Sequence, residues 1–322
     1  MRSFKSLAIG ALLFALVCFL LDAALYPCTF IRNDVHALVS GEKVDDLYLG
    51  TSHGKFNIDP ASVEAETGRR GHNAANGNEY PVDSYYLLRL MVEKGRAPKR
   101  VIYVTTPEYF LMDKGEANNA LLFYHEFPLS LSKAAYFFDA FASKSLRSAR
   151  FPWHEYALSR TLPAAGEILR KKLTGDYDIS DFVTEEQQYH EDGHIAHAWV
   201  SSKDFTFGPG ESFSSDKVLP ENLLYLRKLI ALCKKEGIAF AAVLPPTAGA
   251  VLDRYQESYE EADAFFTSFF EEEEVPFYNF NAGELYKLFT HDISAYTDLD
   301  GHLCQDAAWD FSKVLSQVLS GI

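Results

Sequence analysis

Two short segments near opposite ends of the chain carry side chains that together can do acyl chemistry. Residues 47–53 read Leu-Tyr-Leu-Gly-Thr-Ser-His, and residues 296–302 read Tyr-Thr-Asp-Leu-Asp-Gly-His. A serine hydroxyl is a weak nucleophile near neutral pH. It becomes effective when an imidazole lies within hydrogen-bond reach and a third group fixes that imidazole's tautomer. Ser52 supplies the hydroxyl, His302 the imidazole, and Asp298 or Asp300 the orienting carboxylate. Asp298 is favoured, because Asp300 beside Gly301 also suits an Asx-type turn. Gly50 allows a tight turn before Ser52, whose backbone N–H is a candidate oxyanion donor. His53 diverges from its neighbour Ser52, which makes it a pocket-lining or surface residue rather than the base. Each motif alone also has a plain structural reading, as a serine opening a turn and a histidine entering a helix.

Asn73 lies in Gly-His-Asn-Ala-Ala-Asn-Gly at 71–77, where a second strand is expected to end. An amide there can donate to a tetrahedral oxyanion, and Gly77 lets backbone approach a substrate closely. A loop asparagine satisfying its own turn has the same appearance. His190, His194 and His197 have a spacing that suits ligands on one helix face, but Asp192-Gly193 breaks a helix between them and no His-Glu-x-x-His motif accompanies them. They are expected on the surface or in an insertion loop, and neither a metal nor any other cofactor is expected.

These residues need a scaffold that brings 52 and 302 together. Residues 44–50 have the pattern of a short buried strand. Asp59 reads as an N-cap with Pro60 at the first helical position and Gly68 as terminator. Helical spacing follows over 85–94, and a β-branched and aromatic run over 100–105. The alternation returns with a helix over 223–235, a strand over 238–244 stopped by Pro245-Pro246, a helix over 255–273, a strand over 275–280 and a closing helix over 307–319. Continuous apolar strands separated by helices predict an α/β fold, a parallel sheet covered on both faces. In such a sheet the loops at the carboxyl ends of the strands share one edge, where ligands bind. Ser52 and His302 both follow strands and are expected to meet there. Between about 115 and 215 the chain turns to aromatic-rich helical pieces, including Phe123-Tyr124, Tyr136-Phe137-Phe138 and Phe151-Pro152-Trp153. This region reads as an insertion over the functional edge, its aromatics mostly filling core.

The 322 residues, 48% of them hydrophobic, suffice for one large domain with an inserted lobe. A formal charge of -15 excludes nucleic acid, whose phosphates are held by Lys and Arg. The N-terminus differs in character. Arg2 and Lys5 precede an apolar run from 7 to 21, interrupted by Asp22 and resumed to Tyr26. About 20 such residues match a bilayer core, and the leading basic residues favour a cytoplasmic N-terminus. Residues 1–27 are therefore expected to be a retained signal-anchor helix that engages the bilayer through 6–26, with 28–322 outside the cytoplasm. A cleaved signal peptide is the rival, although no clean A-x-A site is present. Cys18, Cys28, Cys233 and Cys304 show no C-x-x-C spacing, and a disulfide among the last three stays open.

With serine in the first-strand turn, asparagine and glycine in the next loop, and an Asp…His pair before the last helix, the chain resembles the SGNH/GDSL hydrolase superfamily. It is most similar to the membrane-anchored branch that includes D-alanine transfer proteins of teichoic acid synthesis and alginate O-acetylation proteins. The likeness covers roughly 1–110 and 220–322, through Leu49-Gly50-Thr51-Ser52, Asn73-Ala-Ala, Thr105-Thr106-Pro107, Leu244-Pro245-Pro246, Val275-Pro-Phe-Tyr-Asn and the 298–303 segment. It implies a flavodoxin-like three-layer sandwich and an extracytoplasmic serine O-acyltransferase or esterase acting on a cell-envelope polysaccharide or related polymer, often beside a multi-pass membrane O-acyltransferase. Ser52 is then the nucleophile, His302 the base, Asp298 the orienting acid, and Asn73 with Gly77 the oxyanion side. The superfamily's third-block asparagine has no counterpart near 105–108, its Asp-x-x-His spacing is one residue longer here, and Cys304 stands where asparagine is common. These departures give the alternative, a non-catalytic envelope protein that binds polysaccharide or assists assembly on the same fold.

Overall fold

The computed structural model describes residues 2–25, 29–77, 79–114, 122–140, 162–174, 184–198 and 212–321. In chain order its elements are α1 (Arg2–Leu25), α2 (Phe30–Ser40), β1 (Asp46–Gly50), α3 (Ser52–Asn57), α4 (Pro60–Thr67), β2 (Gly71–Asn73), α5 (Pro81–Glu93), β3 (Arg100–Val104), α6 (Leu122–Glu126), α7 (Leu131–Ala140) and α8 (Leu162–Thr174). There follow β4 (Gln187–Tyr189), β5 (Ile195–His197), α9 (Pro220–Glu236), β6 (Ala239–Leu244), α10 (Gly249–Arg254), α11 (Gln256–Glu272), β7 (Phe277–Asn279), α12 (Gly283–Tyr286) and α13 (Gln305–Val318).

Strands β2-β1-β3-β6-β7 form one sheet, parallel throughout. Counted within the sheet the order is 2-1-3-4-5, the flavodoxin-like winding, in which the strand order reverses between the first and third strands. Every residue of β1 and β3 is buried, as both faces of a parallel sheet require. Successive side chains go to opposite layers. Leu47, Leu49, Val101 and Tyr103 enter a core with α2, α5, α9 and α11, whereas Tyr48, Ile102, Val104, Ala241 and Val243 enter a second core with Val63 of α4 and Phe311 and Leu315 of α13. The strand and helix alternation expected from apolar pattern is thus present. Local signals hold as well: Asp59 accepts from the backbone N–H groups of Ala61 and Ser62, and Gly68 ends α4 in the left-handed conformation.

Of the region 115–215, α6 and α7 pack on α2 and α5, and β4 with β5 makes a separate antiparallel hairpin. Phe151, Pro152 and Trp153 lie outside the described residues. The hairpin is fastened under α3 by a buried network. Lys55 donates to Asp34 Oδ2 at 2.9 Å and to the carbonyls of Asn73 and Gly193 at 2.7 Å each. Asp34 also meets His72 at 3.0 Å and Tyr189 at 2.6 Å. Gly193 has φ +88°, and a Cβ there would collide with the Asn73 carbonyl, so the hairpin turn needs glycine to come this close.

Helix α1 runs for 24 residues, and Leu7, Leu12, Phe14 and Leu20 on it are exposed. Among the described residues, however, no helix is long and apolar enough to cross a membrane. The expectation of a span through 6–26 is therefore unsupported by the structure. Residues 26–28 lie outside the described residues, so Cys28 does too, and Cys18, Cys233 and Cys304 are free thiols.

Lys55→Met leaves the Asp34 carboxylate buried without its cation, and breaking a buried pair costs about 3–5 kcal/mol. Denaturant unfolding of the variant should show a loss of that size; a loss below about 1 kcal/mol would mean that the network does not hold the hairpin.

Candidate active site

Strand β1 ends at Gly50, whose φ is +115° and where a Cβ would strike the Val104 carbonyl. The chain turns there into α3, with Thr51 as N-cap and Ser52 as first helical residue. At the other end of the sequence, the loop before α13 carries Asp298 and His302. His302 Nε2 lies 2.8 Å from Ser52 Oγ, and His302 Nδ1 lies 2.6 Å from Asp298 Oδ2. With its Nδ1 proton donated to Asp298, the imidazole presents an Nε2 lone pair to the Ser52 hydroxyl, which is the arrangement a general base needs.

The same carboxylate organises its own loop. Asp298 Oδ1 accepts from the backbone N–H groups of Asp300, Gly301 and His302 at 2.9, 3.1 and 3.2 Å. Burial works to raise the Asp298 carboxyl, but the hydrogen bond and charge of His302 outweigh it and hold it below the usual carboxylate range. Asp298, not Asp300, meets the imidazole.

One residue that sequence reading missed sets the distance between the two halves. Asn57, fully buried at the end of α3, donates to the Gly301 carbonyl and accepts from the Leu303 N–H, both at 2.9 Å. Helix α3 therefore carries the hydroxyl at its start and grips the imidazole's loop at its end. Phe56 adds an edge-on contact to the His302 ring, centroids 4.9 Å apart.

His53 is better placed than its adjacency to Ser52 suggests. Its ring stacks on His302 with centroids 5.0 Å apart, its Nε2 donates to the Asp300 carbonyl, and its Nδ1 lies 3.2 Å from the hydroxyls of both Thr51 and Thr106, one of which donates to it. Those two hydroxyls are themselves 2.5 Å apart. Burial, then repulsion from His302, pushes the His53 imidazole down to about 4. It is a neutral support for the loop.

Asn73 has a different place from the one expected. It is wholly buried beneath α3, and its side-chain N–H₂ donates to the carbonyls of Gly54 at 2.8 Å and Ile58 at 2.7 Å. Both protons are used, so none remains for an oxyanion; the residue positions α3 instead. Gly77 does adjoin Ser52, since a Cβ on it would lie 3.9 Å from Ser52 Cβ. Among the histidines of the insertion, His194 is not at the surface: it is 1% exposed and its Nε2 donates to the Phe56 carbonyl at 3.1 Å. His197 packs edge-on against Phe56, so the hairpin touches the ring that touches His302.

Ser52 and His302 open onto a cleft of about 290 Å³ at the carboxyl edge of β1, β3 and β6. Its far wall includes Thr106, Glu108, Thr247, Ser258 and Tyr259. Burial, then the nearby Asp300, raises the Glu108 carboxyl above its ordinary range. No protein-family model matches this chain, and no curated protein is similar to it in sequence.

An unfolded histidine takes its proton near pH 6.5, whereas folded His53 takes it near 4. Between those values the unfolded state holds more protons, so the His53 contribution to stability is full above about 6.5 and is lost as pH falls toward about 4. His53→Gln keeps the hydrogen bonds and removes the titration. Its unfolding free energy should therefore fall less steeply than wild type across that window. Equal slopes would show that His53 does not stay neutral in the folded protein.

Proposed function

We propose that the chain is a serine O-acyltransferase or esterase of the SGNH/GDSL type. The observation that carries this reading is the continuous relay from Asp298 through His302 to Ser52 at the sheet edge where ligands of such folds bind. Ser52 Oγ attacks an ester carbonyl and its proton passes to His302 Nε2. The backbone N–H groups of Ser52 and Gly77 are the candidate donors to the oxyanion. Collapse of the tetrahedral intermediate breaks the ester bond, and His302 returns the proton to the departing alcohol. The acyl-enzyme then gives its group to a hydroxyl of an acceptor or to water, with His302 again taking and returning the proton. Transfer wins over hydrolysis to the extent that the seated acceptor keeps water out.

The resemblance and the basic-then-apolar N-terminus support an extracytoplasmic, membrane-anchored setting, with residues 6–26 in the bilayer, a cell-envelope glycan or related polymer as acceptor, and a multi-pass membrane O-acyltransferase as the supplier of acyl groups. Thr105 and Thr106 stand where the superfamily's third-block asparagine is absent. They brace β3 and His53, which leaves oxyanion stabilisation to the backbone.

Detergent-solubilised protein should react with a fluorophosphonate probe, and Ser52→Ala should abolish the labelling. Hydrolysis of p-nitrophenyl acetate should fall at least about a thousandfold in Ser52→Ala and His302→Gln. Asp298→Asn should also lose orders of magnitude through the wrong imidazole tautomer, while Asp300→Asn, which keeps the backbone carbonyl, should change by less than about tenfold. Wild-type protein that neither labels nor turns over esters would favour the polysaccharide-binding alternative.

A further inference from the structure

The cleft beside Ser52 is unusual in the sign of its charges. Two carboxyl-bearing residues, Glu108 and Asp300, line it together with the hydroxyls of Thr106, Thr247, Ser258 and Tyr259, and among the described residues no Lys or Arg does so. Among the described residues, Lys55, Arg69 and Arg100 are already committed elsewhere. All three Nζ donors of Lys55 go to Asp34, Asn73 and Gly193 inside the protein. Arg69 and Arg100 pair with Asp46 at the start of β1, the opposite end of the strand from Ser52. The chain as a whole carries -15. Glu108 sits on the short 3₁₀ turn Pro107–Phe110 directly after β3. It is half-buried, and it takes a hydrogen bond from its own backbone N–H rather than from a cation.

An anion entering this space meets like charge in a partly desolvated setting and, among the described residues, no Lys or Arg counter-ion, the arrangement by which binding sites reject a class of ligand. Neutral hydroxyls and ammonium groups meet acceptors instead. Tyr259 stays a neutral phenol, its hydroxyl pushed up by burial and then by Glu108 and hydrogen-bonded with the Thr247 side chain, so this wall offers a sugar uncharged hydroxyls.

We propose that this cleft takes an uncharged or amino-bearing substrate and discriminates against anionic ones, with Glu108 as the specificity-determining residue; this rests on the serine acyl-transfer reading above. The acceptor unit is then a neutral or amino sugar, or a comparable polyol, and a unit bearing a uronate or phosphate group is a poor substrate.

Three fluorophosphonates with the same short alkyl chain, ending in a hydroxyl, an ammonium or a carboxylate, test this on the solubilised full chain. The carboxylate probe should label Ser52 on the order of tenfold more slowly than the hydroxyl probe, and the ammonium probe no more slowly than it. In Glu108→Gln the ratio of hydroxyl to carboxylate rates should shrink at least about threefold, and added salt near 0.5 M should shrink it in wild type by screening. Because a ratio is read within one preparation, any loss of folded variant cancels. Equal rates for the hydroxyl and carboxylate probes, or a ratio unchanged in Glu108→Gln, overturns the inference while leaving Ser52 as nucleophile. If none of the three labels Ser52, the acyl-transfer reading itself falls and this inference with it.

Discussion

The candidate site depends on the docking of one loop onto one short helix. Ser52 and His302 are 250 residues apart in sequence, and the parallel sheet only delivers them to the same rim. What holds them at hydrogen-bond distance is Asn57, whose amide closes on Gly301 and Leu303 with both its donor and its acceptor. The side chain is shielded from water, where such bonds are electrostatically stronger and where leaving one unmade is costly. Asn73 does the corresponding task from below, tying α3 to the end of β2 through Gly54 and Ile58. Helix α3, which carries Ser52 at its start, is thus braced at its middle and end.

Much of this was legible in the residues. The sheet could be read because its strands are continuous apolar runs bounded by turn formers, and α4 because Asp59, Pro60 and Gly68 mark both ends. Ser52, His302 and Asp298 could be read because few residue types activate a hydroxyl, and because a parallel sheet has a single edge at which separated loops meet. The exchange of roles between Asn57 and Asn73 could not be. Both are asparagines close to the nucleophile, and which one faces the loop is decided by packing in three dimensions. Lys55 was equally opaque, since a lysine one turn after a helix start reads as a solvated side chain, and its partners come from α2, β2 and the insertion. Strands β4 and β5 are three residues each, too short for a period to show. The bilayer reading of 6–26 rests on composition alone, because among the described residues no helix is long and apolar enough to cross a membrane.

Around the relay the protein separates charge from polarity. Asp298 is the carboxylate aimed at His302, His53 lies against the same ring as an uncharged imidazole, and the threonine pair behind it offers hydroxyls alone. In the proposed reaction His302 takes its proton beside a ring that stays neutral and opposite a carboxylate already held in its charged form. Opposing charge is present where it stabilises an imidazolium, and like charge is absent from the stacked face.

The hairpin under α3 gives the insertion an unexpected property. Its turn is fastened to α2, α3 and β2 through the Lys55 network and to α3 again through His194, so this part of the insertion cannot shift without moving α3. A change in the turn around Gly193 is therefore felt by α3, and with it by Ser52 at the helix start, although turn and serine are remote in sequence.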